Sequence, residues 1–196
     1  SVERDDSHGS RDLYVSFLKD NNKWSEPLNL GDVVNTANEE SAPFLAADDK
    51  TMYFSSNGFS GFGGTDIYMS KRLDDTWTNW SEPQNMGPDI NSSLDDLFFN
   101  VPSSGEYAYY SRTVGEGNAD IYRVKLPIYK SPEPVILVKG RLIDAKTGKP
   151  LGAKIIYERL PDGKEIGIAQ SNPETGEYQI LLPGGQRYGV RAESEG

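Results

Sequence analysis

The stretch GGTDIYMSK, Gly63–Lys71, decides how this chain is read. Two glycines, a threonine and an aspartate stand ahead of a strand-like Ile-Tyr-Met-Ser. Alone, the pattern suits a metal loop, a catalytic aspartate or a tight turn. The same pattern recurs as SRDLYVS (Ser10–Ser16) and NADIYRV (Asn118–Val124), so Asp12, Asp66 and Asp120 are spaced 54 and again 54 residues apart. Two further landmarks recur at an offset of 56: KWSEPLNLGDVVNT (Lys23–Thr36) with NWSEPQNMGPDINS (Asn79–Ser92), and EESAPFLAADDKTMYFSSN (Glu39–Asn57) with DDLFFNVPSSGEYAYYSRT (Asp95–Thr113). A two-residue insertion around RLDDTWTN and a two-residue deletion in the next glycine loop account for the change of offset.

A fixed period is read as architecture before chemistry. Each unit carries about four short strands, and four antiparallel strands in roughly 50 residues make one blade of a β-propeller. Ile67 and Met69 alternate with Tyr68, yet both faces carry large groups, which suits a blade covered on both sides by neighbours. In this reading Gly63 and Gly64 supply positive-φ turn conformations. Asp12, Asp66 and Asp120 accept backbone N–H groups within the turns. Trp24 and Trp80 anchor the packing of their blades, and Pro27, Pro83, Asn35 and Asn91 are structural marks of the repeat. Catalytic residues are normally unique, whereas these are serial copies.

Composition narrows the function further. The 196 residues contain no cysteine and one histidine, His8. This excludes disulfides, thiolate zinc sites and most histidine-based triads within the chain. The longest apolar run, VILV at Val135–Val138, is too short to span a bilayer. Residues 1–126 hold 21 acidic and 10 basic side chains, while residues 127–196 hold 9 and 10. The acidic first part disfavours nucleic acid and anionic lipid, and suits a basic protein partner or divalent cations. No cofactor is expected; calcium is the one ion that the acidic loops DDSHGSRD and RLDD leave open.

The repeat occupies residues 1–126 and gives about two and a third blades, with Ser1 aligned to Ser55. Closed propellers typically have about 4–8 blades, so the expectation is part of a longer ring, with further blades ahead of Ser1. Residues 127–134, rich in proline (Pro127, Pro132, Pro134), read as a stiff extended linker. From 135 to 196, five short strands separated by Gly/Pro/Asp turns argue for a small β-sandwich. Tyr178, Ile180 and Leu182 alternate into its core. The fold class expected is therefore all-β: a partial propeller plus a sandwich.

SAPFLAADDKTMYFSSNGFSGFGGTDIYMSKR, followed by WSEPQNMGPDINS, resembles the WD40-like, TolB-type propeller repeat of bacterial envelope proteins. The motifs ES-x-P, YFSS, GG-x-DIY, W-x-x-P-x-N-x-G and IN-S/T appear in order, and in the last copy Asp95–Phe98 replaces the ESAP form. VKGRLIDAKTGKPLGAKI, TGEYQILLPGG and YGVRAESEG resemble the carboxypeptidase regulatory-like domain, a transthyretin-like sandwich whose closing strands are missing from these residues. The pairing is similar to the PorE-like group of OmpA-family lipoproteins linked to type IX secretion and gliding. That resemblance implies a non-enzymatic periplasmic adaptor associated with the outer membrane. Its partners would be proteins of an outer-membrane complex, and it would reach peptidoglycan through a domain outside this chain.

Two other classes compete with the scaffold. A carbohydrate-recognition propeller of the sialidase kind would carry the Asp-box S-x-D-x-G-x-T-W and clustered arginines. AADDKTMYF (Ala46–Phe54) is the nearest approach to that box, and residues 13–71 contain no arginine. The non-catalytic part of a secreted peptidase would leave its G-x-S-x-G or H-x-x-E elsewhere.

Overall fold

A computed structural model describes residues 1–196 except 21, 104, 105, 116, 161, 195 and 196. Parts of the VPSSGEY and PDGK turns and the end of the last quoted motif therefore lie outside the described residues. The chain divides into two compact units, Ser1–Pro132 and Glu133–Gly196.

The first unit is built from three antiparallel sheets in chain order. The first has two short strands, β1 (Tyr14–Val15) and β2 (Leu28–Asn29). The second is a complete four-stranded sheet in the order β3 (Glu40–Leu45), β4 (Thr51–Ser56), β5 (Asp66–Lys71) and β6 (Gln84–Asn85). The third has three strands, β7 (Asp96–Asn100), β8 (Tyr107–Gly115) and β9 (Asn118–Lys125).

The middle sheet shows why its strands are apolar on both faces. All six residues of β4 are buried. Met52 and Phe54 join Leu13, Leu30, Val34, Tyr68 and Trp80 in one core, shared with the first sheet. Tyr53 faces the other way, into a core with Ile67, Met69, Met86, Ile90, Phe99 and Tyr110, shared with the third sheet. The period of two along a strand thus sends alternate side chains to two different neighbours. The positions correspond: Leu13, Leu30 and Val34 do for the first core what Ile67, Met86 and Ile90 do for the second.

The innermost strands β3 and β7 are both bulged. Two residues, Ala42 and Pro43, stand opposite the single Phe54, and Phe98 and Phe99 stand opposite Tyr110. Ala42 and Phe98, one repeat apart, both adopt left-handed backbone (φ 46° and 56°). A bulge bends its strand and sharpens the twist. Pro43 fits there because it has no N–H to withdraw from the ladder.

Residues 127–134 are not a uniformly extended linker. Ile128–Lys130 form a 3-10 helix that belongs to the first unit. The Tyr53 hydroxyl donates to the Lys130 carbonyl at 2.6 Å, and Lys130 Nζ donates to the Met86 carbonyl. Proline fixes φ at helix-compatible values as readily as at extended ones, and these tertiary bonds decide between them.

The second unit is a five-stranded sandwich. One sheet pairs β10 (Val135–Arg141) with β13 (Glu177–Pro183). The other has the order β12 (Lys164–Gln170), β11 (Lys154–Leu160), β14 (Arg187–Glu193). Along β13, Glu177, Gln179 and Leu181 are exposed while Tyr178 and Ile180 are half-buried and Leu182 is buried. Tyr178, Ile180 and Leu182 pack with Ile155, Tyr157 and Ala169. The Tyr178 ring lies over Gly140, where an added Cβ would come within 2.5 Å of the ring. The Tyr157 and Tyr178 hydroxyls are 3.2 Å apart. Burial, followed by that hydrogen bond, pushes the Tyr157 hydroxyl up to about 12.

Candidate functional site

Asp12 is fully buried in the turn ahead of β1. Its carboxylate accepts the His8 N–H at 2.8 Å and the Gly9 N–H at 3.2 Å, and Asn29 Nδ2 donates to it at 2.8 Å from β2. Asn29 Oδ1 accepts from Asn35 Nδ2 at 2.9 Å. Asn35 in turn closes on the backbone of Leu13, accepting its N–H at 2.7 Å and donating to its carbonyl at 3.2 Å. Burial pushes the Asp12 carboxyl up. The bonds from the His8 N–H, the Asn29 amide, the His8 ring and the Gly9 N–H outweigh it and hold the group below the usual aspartate range.

The same joint is built one repeat later. Asp66, also buried, accepts the Phe62 N–H and the Asn85 amide, the latter at 3.3 Å. Asn91 Nδ2 donates to Asn85 Oδ1 at 2.9 Å and to the Ile67 carbonyl at 2.9 Å, and its Oδ1 accepts the Ile67 N–H at 2.8 Å. Asx-type local bonding ahead of each strand and an asparagine clamp beside it thus lock the outer strands β2 and β6 in place. Pro27 and Pro83, both half-buried, stand immediately before those strands.

Three expectations need correction. Gly63 and Gly64 do not adopt positive φ. They are required by close approach: a Cβ on Gly63 would lie 2.4 Å from the Ser92 carbonyl, and one on Gly64 2.4 Å from Asp95 Oδ1. Asp120 is exposed at the start of β9: the chain after Lys125 runs through Leu126-Pro127 into the 3-10 helix, and no outer strand covers it among the described residues. Trp24 is 67% exposed whereas Trp80 is 3% exposed. Trp80 is covered by Trp77, which also meets Phe17 of the preceding repeat edge-on, and shares a core with Leu13, Leu30 and Val34 of the first sheet; Trp24 has no such cover among the described residues.

Sequence reasoning missed a second pair of buried carboxylates. Glu40 accepts from the Thr36 N–H, the Thr36 hydroxyl and the Ser56 hydroxyl, each at 2.7 Å. One repeat on, Asp96 accepts the Ser92 N–H at 2.6 Å, the Ser92 hydroxyl at 2.9 Å and Arg112 Nε at 2.7 Å. A shorter acid and a longer partner replace Glu and Ser within one frame. Arg112 also stacks on Tyr122, its Cζ 4.8 Å from the ring centroid. The signal was present in ES-x-P and IN-S/T, but a polar letter does not disclose burial.

Beside the inner bulges lies a cavity of about 380 Å³. Equivalent residues of two repeats line it: Arg11 and Thr65, Glu39 and Asp95, Ala42 and Phe98. Arg11 and Glu39 pair at 3.5 Å, Asp95 accepts the Thr65 N–H at 2.9 Å, and Phe98 is 64% exposed. An exposed aromatic among charged pairs suits contact with another protein. A larger cavity, about 570 Å³, lies in the sandwich unit among the exposed side chains of Lys139, Gln170, Glu177 and Gln179.

The acidic loops are engaged by their own residues. Asp6 accepts the Tyr14 hydroxyl at 3.0 Å, Asp74 accepts from Thr76 and Asn79, and Asp75 pairs with Arg72 at 3.1 Å. The Thr76 hydroxyl, then Asn79 and the Thr76 N–H, hold Asp74 below the usual aspartate range. Among the described residues, no group of three or more His, Cys, Asp or Glu is placed to hold a metal ion, and no helix is long and apolar enough to cross a membrane. No protein-family model, curated protein or solved structure matches the chain.

Proposed function

We propose that this chain is a non-enzymatic scaffold segment of a bacterial cell-envelope protein, resident in the periplasm and associated with the outer membrane. In this reading the repeat unit docks a protein of an outer-membrane complex. Peptidoglycan is reached through a domain outside these residues, as in the PorE-like proteins that the repeat and sandwich resemble. One observation carries the scaffold reading: Asp12 and Asp66 are each spent on bonds inside their own turn and sheet. Residues used this way hold strands in register, and what varies around them is docking surface. Phe98, a 64% exposed aromatic beside the cavity and among charged pairs, is the natural contact point.

The test is site-specific photo-crosslinking in cells. A benzophenone side chain at Phe98 of the full-length protein should capture a discrete envelope protein, while one at exposed Ile168 should not. Equal capture at both positions, or a hydrolytic turnover abolished by Asp66→Asn in a variant that still folds, would overturn the proposal.

A further inference from the structure

Among the described residues, the first and second sheets end in an outer strand and the third does not. In the first, β2 pairs with β1 through Tyr14↔Asn29 and Val15↔Leu28. In the second, β6 pairs with β5 through Tyr68↔Asn85 and Met69↔Gln84. Among the described residues, the equivalent positions of β9, Tyr122 and Arg123, have no outer partner, and the sheet order stops at β9.

Each added strand brings the same three contacts. Its asparagine, Asn29 or Asn85, donates to the turn aspartate. The next residue, Leu30 or Met86, donates its N–H to the carbonyl of Leu13 or Ile67, at 3.1 and 3.0 Å. That residue's side chain then covers Leu13 or Ile67, both fully buried. On the third sheet the receiving groups stand open. Asp120 is exposed, and Ile121 is 83% exposed. The backbone of Ile121 is aimed as that of Ile67 is, because Ser111↔Ile121 repeats the register of Ser55↔Ile67.

We propose that the outer edge of β9 is a docking site for one extended strand of the form Pro-x-Asn-(Leu/Met)-Gly, added antiparallel to it. The asparagine amide donates to Asp120. The following N–H donates to the Ile121 carbonyl, and its apolar side chain seats on Ile121. Main-chain pairing provides the affinity, and the Asn–Asp120 contact the selectivity, as in other strand additions. The glycine lets the strand leave the edge: Gly31 and Gly87 both hold positive φ at this place.

Asp120 and Ile121 are exposed, so changing them should leave the fold intact. A fluorescein-labelled peptide with the sequence of Asn79–Ser92 is titrated against the full chain and followed by anisotropy. Saturable binding is expected, weakened by about tenfold or more when the peptide carries Asn85→Ala or the chain carries Asp120→Ala. Amide exchange at Ile121–Arg123 should slow on binding, with that at Ile67–Met69 unchanged. Absence of binding, binding indifferent to both substitutions, or changed exchange at Ile67 (the peptide displacing the chain's own β6) would overturn the proposal. A peptide-free dimer that protects the same edge would overturn it in favour of a second copy of the chain.

Discussion

Asp66 has one carboxylate oxygen bonded to Phe62 and Asn85, while the other, Oδ1, is buried without a hydrogen-bond partner among the described residues. Asp12 uses both oxygens, the second on the Gly9 N–H. Both acids are buried, and removing either strands donors that folding has taken out of water. Asp66→Ala should therefore cost about 3 kcal/mol in urea unfolding, whereas Asp120→Ala should stay within about 0.5 kcal/mol. Because its hydrogen bonds outweigh burial and lower the Asp12 carboxyl, its share of stability is complete above the ordinary aspartate value of about 4. It drains away as pH falls through the lower folded-state value. Asp12→Asn should flatten the acid limb of a stability–pH curve while changing little of its shape above about pH 5.

Elements differ in how far the sequence discloses them. The strands of the second sheet and the alternation of Tyr178, Ile180 and Leu182 were legible because period and turn chemistry are local. The fates of Trp24 and Asp120 were not, because each depends on a neighbour that the matching motif does not contain. Trp80 is buried by Trp77 and an adjoining sheet, and Asp66 by an outer strand beginning after Pro83. The 3-10 helix Ile128–Lys130, held by Tyr53 and the Met86 carbonyl, carries the chain away where the third copy would turn back toward β9. The need for Gly63 was equally hidden, since the obstacle is the Ser92 carbonyl 29 residues away in sequence. Trp80→Ala should destabilise the first unit by about 3–5 kcal/mol, as loss of a large buried aromatic does. Trp24→Ala should cost less than about 1 kcal/mol. Chemical denaturation followed by tyrosine fluorescence measures both.

Across the whole chain, three cores serve two compact units: those around Ile67 and around Phe54 lie in the first, and that around Ile155 and Leu182 lies in the second. Units with cores of their own imply separate cooperative transitions. Leu182→Ala should lower one calorimetric transition, by about 2–5 kcal/mol in unfolding free energy, and leave the other in place; Asp66→Ala should do the reverse. Coincident shifts would show that the units unfold as one.

Each acidic turn is locked to its own sheet, and thermodynamic cycles measure that lock directly. Asp12 with Asn29, and Asp66 with Asn85, should each show a coupling of about 1–3 kcal/mol in double-mutant unfolding experiments, while Asp12 with Asp66 should be additive to within about 0.5 kcal/mol. Strong coupling between the two aspartates, with none to their asparagines, would mean that they converge on a common site and would contradict the account.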